Sequence, residues 1–147
     1  FIMLGLIQRV SHAQVSINNN IVGKIEQGIL ALIGMEKNDQ PEQADKLLHR
    51  LLNYRIFADS EGKMNLSVMD IEGGVLLVPQ FTLAADTQKG LRPSFSSAKP
   101  PREAEQLFLY LLQQAQHCYP HIKSGQFGAD MQVSLVNDGP VTFLLKV

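Results

Sequence analysis

Alternating hydrophobic and polar positions predict β-strands in the first third of the chain. Residues 13–17 change between apolar and polar side chains at every step, which is typical of a strand with one buried face. The asparagines at 18–20 predict a turn, because asparagine tolerates positive φ and hydrogen-bonds its own backbone. We therefore expect residues 21–25 to return as an antiparallel strand. The continuous apolar run at 29–33 is typical of a strand buried on both faces.

Two later segments have the spacing of amphipathic helices. The first begins at Pro41, which suits the first helical position. Its apolar stripe consists of Ala44, Leu47, Leu48, Leu51 and Leu52. The second begins at the double proline 100–101. Its stripe consists of Ala104, Leu107, Phe108, Leu111, Leu112 and Ala115. Each helix is therefore expected to pack one face against the strands.

The remaining apolar segments predict three more strands and leave one long connection. Residues 75–78 indicate another buried strand, and residues 131–135 alternate in polarity. A turn at 138–140 is expected to lead into a closing strand at 141–147. Residues 84–101 have no periodicity, and long connections of this kind inside a compact domain are often functional.

Composition places the chain among ordinary globular proteins. With 147 residues, 45% hydrophobic and 18% charged, it is long enough for one domain with its own core and too apolar to be disordered. We predict a single domain over residues 1–147, with Phe1 and Ile2 ahead of an expected natural start at Met3. The fold class is expected to be α/β, with mixed β-sheets, a β-rich barrel-like core and two main amphipathic helices.

Cysteine content and hydropathy narrow the expected location of the protein. The single cysteine, Cys118, excludes an internal disulfide and favours a reducing compartment. The longest apolar runs are far below the roughly 20 residues that a membrane-spanning helix needs. We therefore expect a cytoplasmic protein that makes no membrane contact.

Positive charge is concentrated in the long connection. The net charge of −1 argues against a broad basic surface for nucleic acid. Residues 86–102 nevertheless contain four basic side chains and one acid. A polyanion could dock at this local patch.

Common catalytic and metal-binding signatures are missing from the sequence. It contains no Gly-x-Ser-x-Gly elbow, no phosphate loop and no Gly-x-Gly-x-x-Gly motif. His117 and His121 are four residues apart, but Pro120 would break the helix that aligns them. We expect surface histidines, no metal site, no cofactor, and a half-buried, unreactive Cys118 at a helix end.

Two short segments carry the candidate chemistry. In residues 79–82, Gln80 and Thr82 supply an amide and a hydroxyl, and nearby backbone N–H groups could hold an oxyanion. In residues 137–142, a Gly-Pro bond has a low-cost cis form, and its neighbouring carbonyls could hold an ammonium group. Taken alone, each segment is more typical of a structural feature, a strand end and a turn between strands.

Seven ungapped blocks follow one another in a fixed order. They are residues 6–10 (LIQRV), 53–57 (NYRIF), 62–65 (GKMN), 80–84 (QFTLA), 89–95 (KGLRPSF), 129–133 (ADMQV) and 137–142 (NDGPVT). Together they resemble the D-aminoacyl-tRNA deacylases of the bacterial and eukaryotic type. The resemblance implies a homodimer with active sites at the subunit interface. It also implies hydrolysis of the ester that joins a D-amino acid, or glycine mischarged on alanine tRNA, to the 3′ end of tRNA.

The resemblance assigns substrate recognition to residues 137–142. Gly139 and Pro140 would form a cis peptide bond, enter the other subunit's pocket and hold the α-amino group of the substrate. An L side chain would collide with this motif, whereas hydrogen or a D side chain would not. Asn137 and Thr142 belong to the same substrate-binding segment.

The resemblance assigns catalysis to Gln80, Phe81 and Thr82, which match the family's Ser-Gln-x-Thr motif. Pro79 departs from this motif, because proline has neither the hydroxyl nor the backbone N–H of the family's serine. The role of that serine cannot be carried over, and activity could be lowered. We expect the rest of the site to survive because Gln80 and Thr82 keep their register.

Two mechanisms remain open at this point. In one, Thr82 attacks the ester carbonyl. In the other, backbone N–H groups around Phe81 and Thr82 stabilise the oxyanion, and the 2′-hydroxyl of the terminal adenosine helps to activate water. The second is favoured because neither motif contains a histidine or lysine base. Lys89 and Arg92 would meet tRNA phosphates in a weak, salt-sensitive complex.

Three alternatives belong to other functional classes. Pro79 keeps open a tRNA- or ribosome-associated protein that binds without turnover. A small esterase or amidase that uses Thr82 would hydrolyse activated esters without tRNA. A metal hydrolase is the least favoured, because the sequence offers no convincing ligand set.

Overall fold

The computed structural model describes residues 2–147. Eight strands, two α-helices and one 3₁₀ turn follow in chain order: β1 (Leu4–Ile17), β2 (Asn20–Ile25), β3 (Gly28–Gly34), α1 (Pro41–Asn53), β4 (Phe57–Ala58), β5 (Met64–Leu66), β6 (Gly74–Pro79), the 3₁₀ turn (Phe81–Ala84), α2 (Pro101–Cys118), β7 (Ile122–Ser124) and β8 (Gln132–Lys146). The predicted α/β class with two main helices is confirmed. Neither helix within the described residues has the length and apolar character needed to cross a membrane.

Six of the strands form one mixed sheet that curls towards closure. β1 pairs antiparallel with β8 along one edge and with β3 and β2 along the other. β3 then pairs parallel with β6, and β6 with β7. The sheet ends β2 and β7 approach so closely that a Cβ atom on Gly23 would lie 2.9 Å from the carbonyl oxygen of Ser124. The expected barrel-like core is therefore present.

The central strands are buried on both faces, as the apolar runs predicted. In β3, Ile29, Ala31 and Ile33 pack towards the helices, whereas Leu30 faces the barrel interior. The next strand, β6, divides in the same way. Both predicted helical stripes are buried against this sheet, and of their eleven residues only Leu112 is half-buried. The catalytic candidates thus stand at the end of a rigid central strand.

Three local predictions need correction. Residues 138–140 do not connect two strands, because β8 is one strand whose residues 138–141 bulge out opposite Arg9. Cys118 is exposed rather than half-buried, since it lies on the last, solvent-facing turn of α2. The short strand β7 was missed because three residues carry too little periodicity to detect.

The two histidines near the end of α2 lie on the surface, as predicted. His117 and His121 are exposed, and α2 ends at Cys118, before Pro120. Among residues 2–147, no group of three or more His, Cys, Asp and Glu side chains is placed to hold a metal ion.

Candidate active site

The segment Gln80–Thr82 emerges from the end of β6 as a 3₁₀ turn. The backbone N–H of Gln80 donates to the carbonyl of Ile33 at 2.8 Å, which ties the segment to β3. The side-chain amide of Gln80 donates a hydrogen bond to the hydroxyl of Thr82. This is the only side-chain hydrogen bond of Thr82 within residues 2–147, so an amide, and no base, contacts the hydroxyl.

Two backbone donors are free beside the threonine hydroxyl. The first N–H bond of the turn runs from Leu83 to the carbonyl of Gln80 at 3.2 Å. The preceding N–H groups, on Phe81 and Thr82, have no acceptor among the described residues, as expected at the start of a helical turn. Two adjacent N–H groups are the usual means of stabilising an oxyanion in acyl transfer.

Pro79 fits the sheet without breaking a hydrogen bond. In β6 the N–H groups of alternate residues point to β7, as shown by Val75 donating to the carbonyl of His121 at 2.9 Å. Position 79 points the same way, but β7 has already ended at Ser124. No ladder partner is lost at this position, so proline is tolerated and Gln80 keeps its register.

An apolar cavity of about 590 Å³ adjoins the segment. It is lined by Pro79, Phe81, Phe95, Ala98, Lys99, Pro100, Pro101, Ala104, Phe127 and Gly128. The rings of Phe81 and Phe95 pack with centroids 5.2 Å apart, and both side chains are exposed at the rim. Lys99 is the only charged side chain in this lining. The cavity suits a flat, largely apolar group that stacks on aromatic rings.

The second candidate segment is a bulge in β8. The bond between Gly139 and Pro140 is cis, and both residues are exposed. Asn137 closes the base of the bulge: its amide donates to the hydroxyl of Thr142 at 2.8 Å and accepts from the N–H of Val141 at 2.9 Å. The polar groups of Asn137 and Thr142 therefore hold the loop in shape, and Gly139–Pro140 projects from it.

Arg9 supports the bulge from β1, a role that the sequence analysis did not assign. Its Nε donates to the carbonyl of Asp138 at 3.0 Å, and its Nη1 donates to the carbonyl of Ile56 at 2.8 Å. The Asp138 carboxylate lies 3.7 Å from Nε, and the arginine side chain is only 16% exposed. A charged residue within a predicted strand region was the available signal, because a charge that becomes buried needs partners.

The structure groups the predicted residues into three places. Gln80, Phe81 and Thr82 lie together, and the residues of 137–142 lie together, but β3 and β1 separate β6 from β8. No hydrogen bond or ion pair among residues 2–147 joins the two segments. Lys89 and Arg92 are exposed in a third place, a loop closed by two backbone hydrogen bonds between Asp86 and Ser94 at 2.7 and 3.0 Å.

Solved structures share this fold over nearly the whole chain. The protein entitled "c-Myc DNA Unwinding Element Binding Protein" has a TM-score of 0.93 and 38% identity, and the match covers 97% of each chain. A probable eukaryotic D-amino acid tRNA deacylase has a TM-score of 0.88 and covers 100% of each chain. Its 15% identity shows the fold alone.

Sequence relatives define the family. The D-aminoacyl-tRNA deacylase of Pseudomonas entomophila (strain L48) is 63% identical over 145 residues, which cover 99% of this chain and 100% of that protein. The D-aminoacyl-tRNA deacylase of Stutzerimonas stutzeri (strain A1501) is 62% identical over 144 residues, 98% of this chain and 99% of that one. The family model described as D-Tyr-tRNA(Tyr) deacylase matches residues 6–146.

The family model and the relatives thus define an enzyme of the hydrolase class that acts on ester bonds. The chain belongs to the D-Tyr-tRNA(Tyr) deacylase family, as the seven sequence blocks implied.

Proposed function

We propose that this enzyme hydrolyses the ester between a D-amino acid and the 3′ end of tRNA, and removes glycine mischarged on alanine tRNA, as chirality proofreading in the cytoplasm. One observation carries the proposal most directly. Two free N–H groups stand beside a threonine hydroxyl at the rim of an aromatic cavity. An activated ester of a nucleotide needs such an arrangement: a surface for the base and donors for the oxyanion.

The cavity is proposed to take the terminal adenine. Its apolar lining and its aromatic rim favour a flat ring, because base–aromatic stacking contributes about 1–3 kcal/mol for each base. With the base in this cavity, the ester would extend towards the N–H groups of Phe81 and Thr82. The tRNA phosphates beyond would meet Lys89 and Arg92, which are exposed on the neighbouring loop.

The proposed mechanism needs no protein nucleophile. The hydroxyl of Thr82 accepts a hydrogen bond from Gln80, and a neutral amide cannot remove its proton. Water is proposed to attack the ester, helped by the 2′-hydroxyl of the terminal adenosine. The Phe81 and Thr82 N–H groups then stabilise the oxyanion, and Gln80 holds Thr82 in place.

A second copy of the chain is proposed to complete the site. Gly139 and Pro140 project from an exposed bulge that lies two strands away from Thr82 in the same chain. β8 also exposes the apolar side chains of Val136, Phe143 and Leu144. A homodimer through this strand would cover them and bring the Gly-Pro motif to the partner's site, where it rejects L side chains.

The test compares D-Tyr-tRNA, L-Tyr-tRNA and Gly-tRNA side by side. Hydrolysis of the D and glycyl esters, with the L ester spared, supports the proposal and shows that Pro79 is tolerated. Binding of tRNA by the folded protein without turnover of any ester would instead favour a tRNA-binding protein. Hydrolysis of small activated esters without tRNA would favour an esterase.

Thr82→Ala distinguishes the two mechanisms. We expect kcat to fall modestly, about tenfold, because the hydroxyl positions groups without attacking the ester. Thr82→Ser, which keeps the hydroxyl, is the matched control and should stay close to wild type. Complete loss in Thr82→Ala, together with an acyl-threonine trapped in the wild type and seen by mass spectrometry, would contradict the nucleophile-free mechanism.

A further inference from the structure

Lys99 lies between two cavities of the protein and lines both of them. It lines the apolar cavity beside Thr82, and it also lines a polar cleft of about 450 Å³ between the starts of α1 and α2. The cleft contains Lys37 and Asp39, from the turn that follows β3. Lys99 thus connects the wall of the candidate active site to the central sheet.

The lysine ammonium is bound by backbone carbonyls. Its Nζ donates to the carbonyl of Asp39 at 2.7 Å and to the carbonyl of Lys37 at 3.3 Å. The same two segments also join through their backbones, since the N–H of Lys99 donates to Met35 at 3.0 Å and the N–H of Lys37 donates to Ser97 at 2.9 Å. The side chain therefore reinforces a junction between residues 97–99 and 35–39.

The turn that accepts these bonds is itself well anchored. Asp39 is 1% exposed, and its carboxylate accepts the N–H of Glu36 at 2.7 Å. The N–H of Asp39 returns to the carbonyl of Glu36 at 3.1 Å. Because this turn directly follows β3, an ammonium held by its carbonyls fixes residues 95–101 relative to the strand that supports Gln80.

The geometry points to Lys99 as a positioning residue for the substrate. We propose that its ammonium holds the segment 95–101, which supplies five of the ten residues lining the apolar cavity, at the spacing that a bound base requires. Lys99 acts through Phe95 and Ala98 and touches no reacting atom. The inference rests on the proposed function, because it assigns the cavity to the terminal base of tRNA.

A direct phosphate contact is the competing role for a lysine beside a tRNA site. Lys99 is half-buried and donates two hydrogen bonds within the protein. Lys89 and Arg92 are exposed, and their side chains donate no hydrogen bond among residues 2–147. The internal bonds favour positioning, and the two roles differ in their dependence on salt.

The experiment measures kcat and KM for D-Tyr-tRNA over a series of salt concentrations. Lys99→Met keeps the apolar stem and removes the ammonium. Lys37→Met is the matched control, since it removes one positive charge from the same cleft and leaves the carbonyl that Lys99 uses. Lys99→Arg restores a charged donor, and thermal unfolding checks that each variant is folded.

We expect Lys99→Met to raise KM about fivefold with kcat nearly unchanged, because a charged hydrogen bond that orders the cavity wall is lost. The slope of log(kcat/KM) against log[salt] should stay as in the wild type. Lys37→Met should leave KM within about twofold, as most surface substitutions do. Lys99→Arg should recover most of the loss.

Several results would overturn the assignment. A salt slope that falls by about 0.7–0.9 would identify a phosphate contact. A fall in kcat alone, or no change in KM, would also exclude the positioning role. Hydrogen exchange at the amides of Lys37 and Lys99 gives a readout that needs no activity: it should quicken in Lys99→Met. If this exchange quickens although the wild type hydrolyses no ester, the proposed function is refuted, but the role of Lys99 in joining residues 97–99 to residues 35–39 is supported. If the exchange is unchanged, that role is refuted.

Discussion

At the scale of single residues, a few hydrogen bonds determine what each candidate group can do. Thr82 is bonded to an amide, so its hydroxyl is oriented without being activated. Gly139 has a φ of +137°, and a Cβ atom there would lie 3.2 Å from the guanidinium of Arg9. Glycine is favoured at this position because L side chains rarely adopt this backbone conformation.

Arg9→Ala tests the support of the bulge. The arginine donates to two carbonyls, and bonds from a charged group contribute about 1.5–3 kcal/mol each. We expect kcat/KM for D-Tyr-tRNA to fall at least about tenfold, and the preference for the D over the L ester to narrow, because Gly139–Pro140 is no longer held. Parallel assays of the two esters measure both effects.

Arg55→Ala is the control for loss of one arginine, since Arg55 is exposed and its side chain has no hydrogen bond or ion pair within the described residues. It should behave as the wild type. Equal losses in the two variants would show that general charge, and not support of the bulge, explains the result.

At the scale of secondary-structure elements, the sequence predicted the features that depend only on residues close together in the chain. The stripe of α1 is buried as expected, and the turn at Asn18 and Asn19 has positive φ at both residues. The bulge in β8 could not be predicted in the same way. A Gly-Pro step suits a turn as well as a bulge, and only the pairing of β8 with β1 on both sides of Arg9 makes it a bulge.

The parallel strands β3 and β6 approach one another closely at the pair Gly28 and Gly74, a feature that periodicity also did not predict. A Cβ atom on Gly28 would lie 1.9 Å from the carbonyl oxygen of Gly74 in β6. We expect Gly28→Ala to lower the free energy of unfolding by more than about 3 kcal/mol, because backbone must move to accept the methyl group. Urea unfolding measures the loss, and the exposed neighbour Glu26→Ala should change little.

The hydrogen bonds that the carboxylates of Asp59 and Asp70 accept lead us to expect a loss of stability in acid. Hydrogen bonds from Asn65, and from the N–H groups of Lys63 and Glu61, lower the pKa of Asp59. Bonds from Ser67 lower the pKa of Asp70. A carboxyl with a lowered pKa in the folded state stabilises the fold above its unfolded pKa, near 3.8, and loses that contribution as the pH falls through the folded value.

Asp39 contributes in the opposite direction, because burial raises its pKa. Its cost to the fold is present at neutral pH and is relieved as the carboxyl takes up a proton. Urea unfolding between about pH 2 and 6 should show stability falling mainly below the unfolded value for aspartate. Asp70→Asn should flatten this profile, whereas the exposed Asp130→Asn should not; a profile unchanged by Asp70→Asn would contradict the assignment.

At the scale of the whole molecule, the two motifs of the proposed site lie on different parts of the sheet. The end of β6 and the bulge in β8 are separated by two strands, and strands in a sheet lie about 4.8 Å apart, so the two motifs of one chain do not meet. No sequence pattern within one chain predicts this separation, because it follows from the order of strands. A second copy of the chain, docked on the apolar side chains that β8 exposes, would bring the two motifs together.

Charged substitutions on β8 test this arrangement. Phe143 and Val136 are 38% and 46% exposed, and Leu109 on α2 is an equally apolar control at 53%. We expect Phe143→Asp and Val136→Asp to convert a dimer into folded monomers in sedimentation equilibrium, because each would bury an unpaired charge in the interface. Deacylation should fall with the dimer fraction, since a monomer lacks the incoming Gly-Pro motif. Leu109→Asp should remain dimeric and active.

Phe143 also packs on Tyr54 within its own chain, with ring centroids 5.7 Å apart, so Val136→Asp separates loss of the dimer from loss of that contact. Full activity of a monomeric variant would refute a shared site, and a wild type that is monomeric and active would refute it without any substitution.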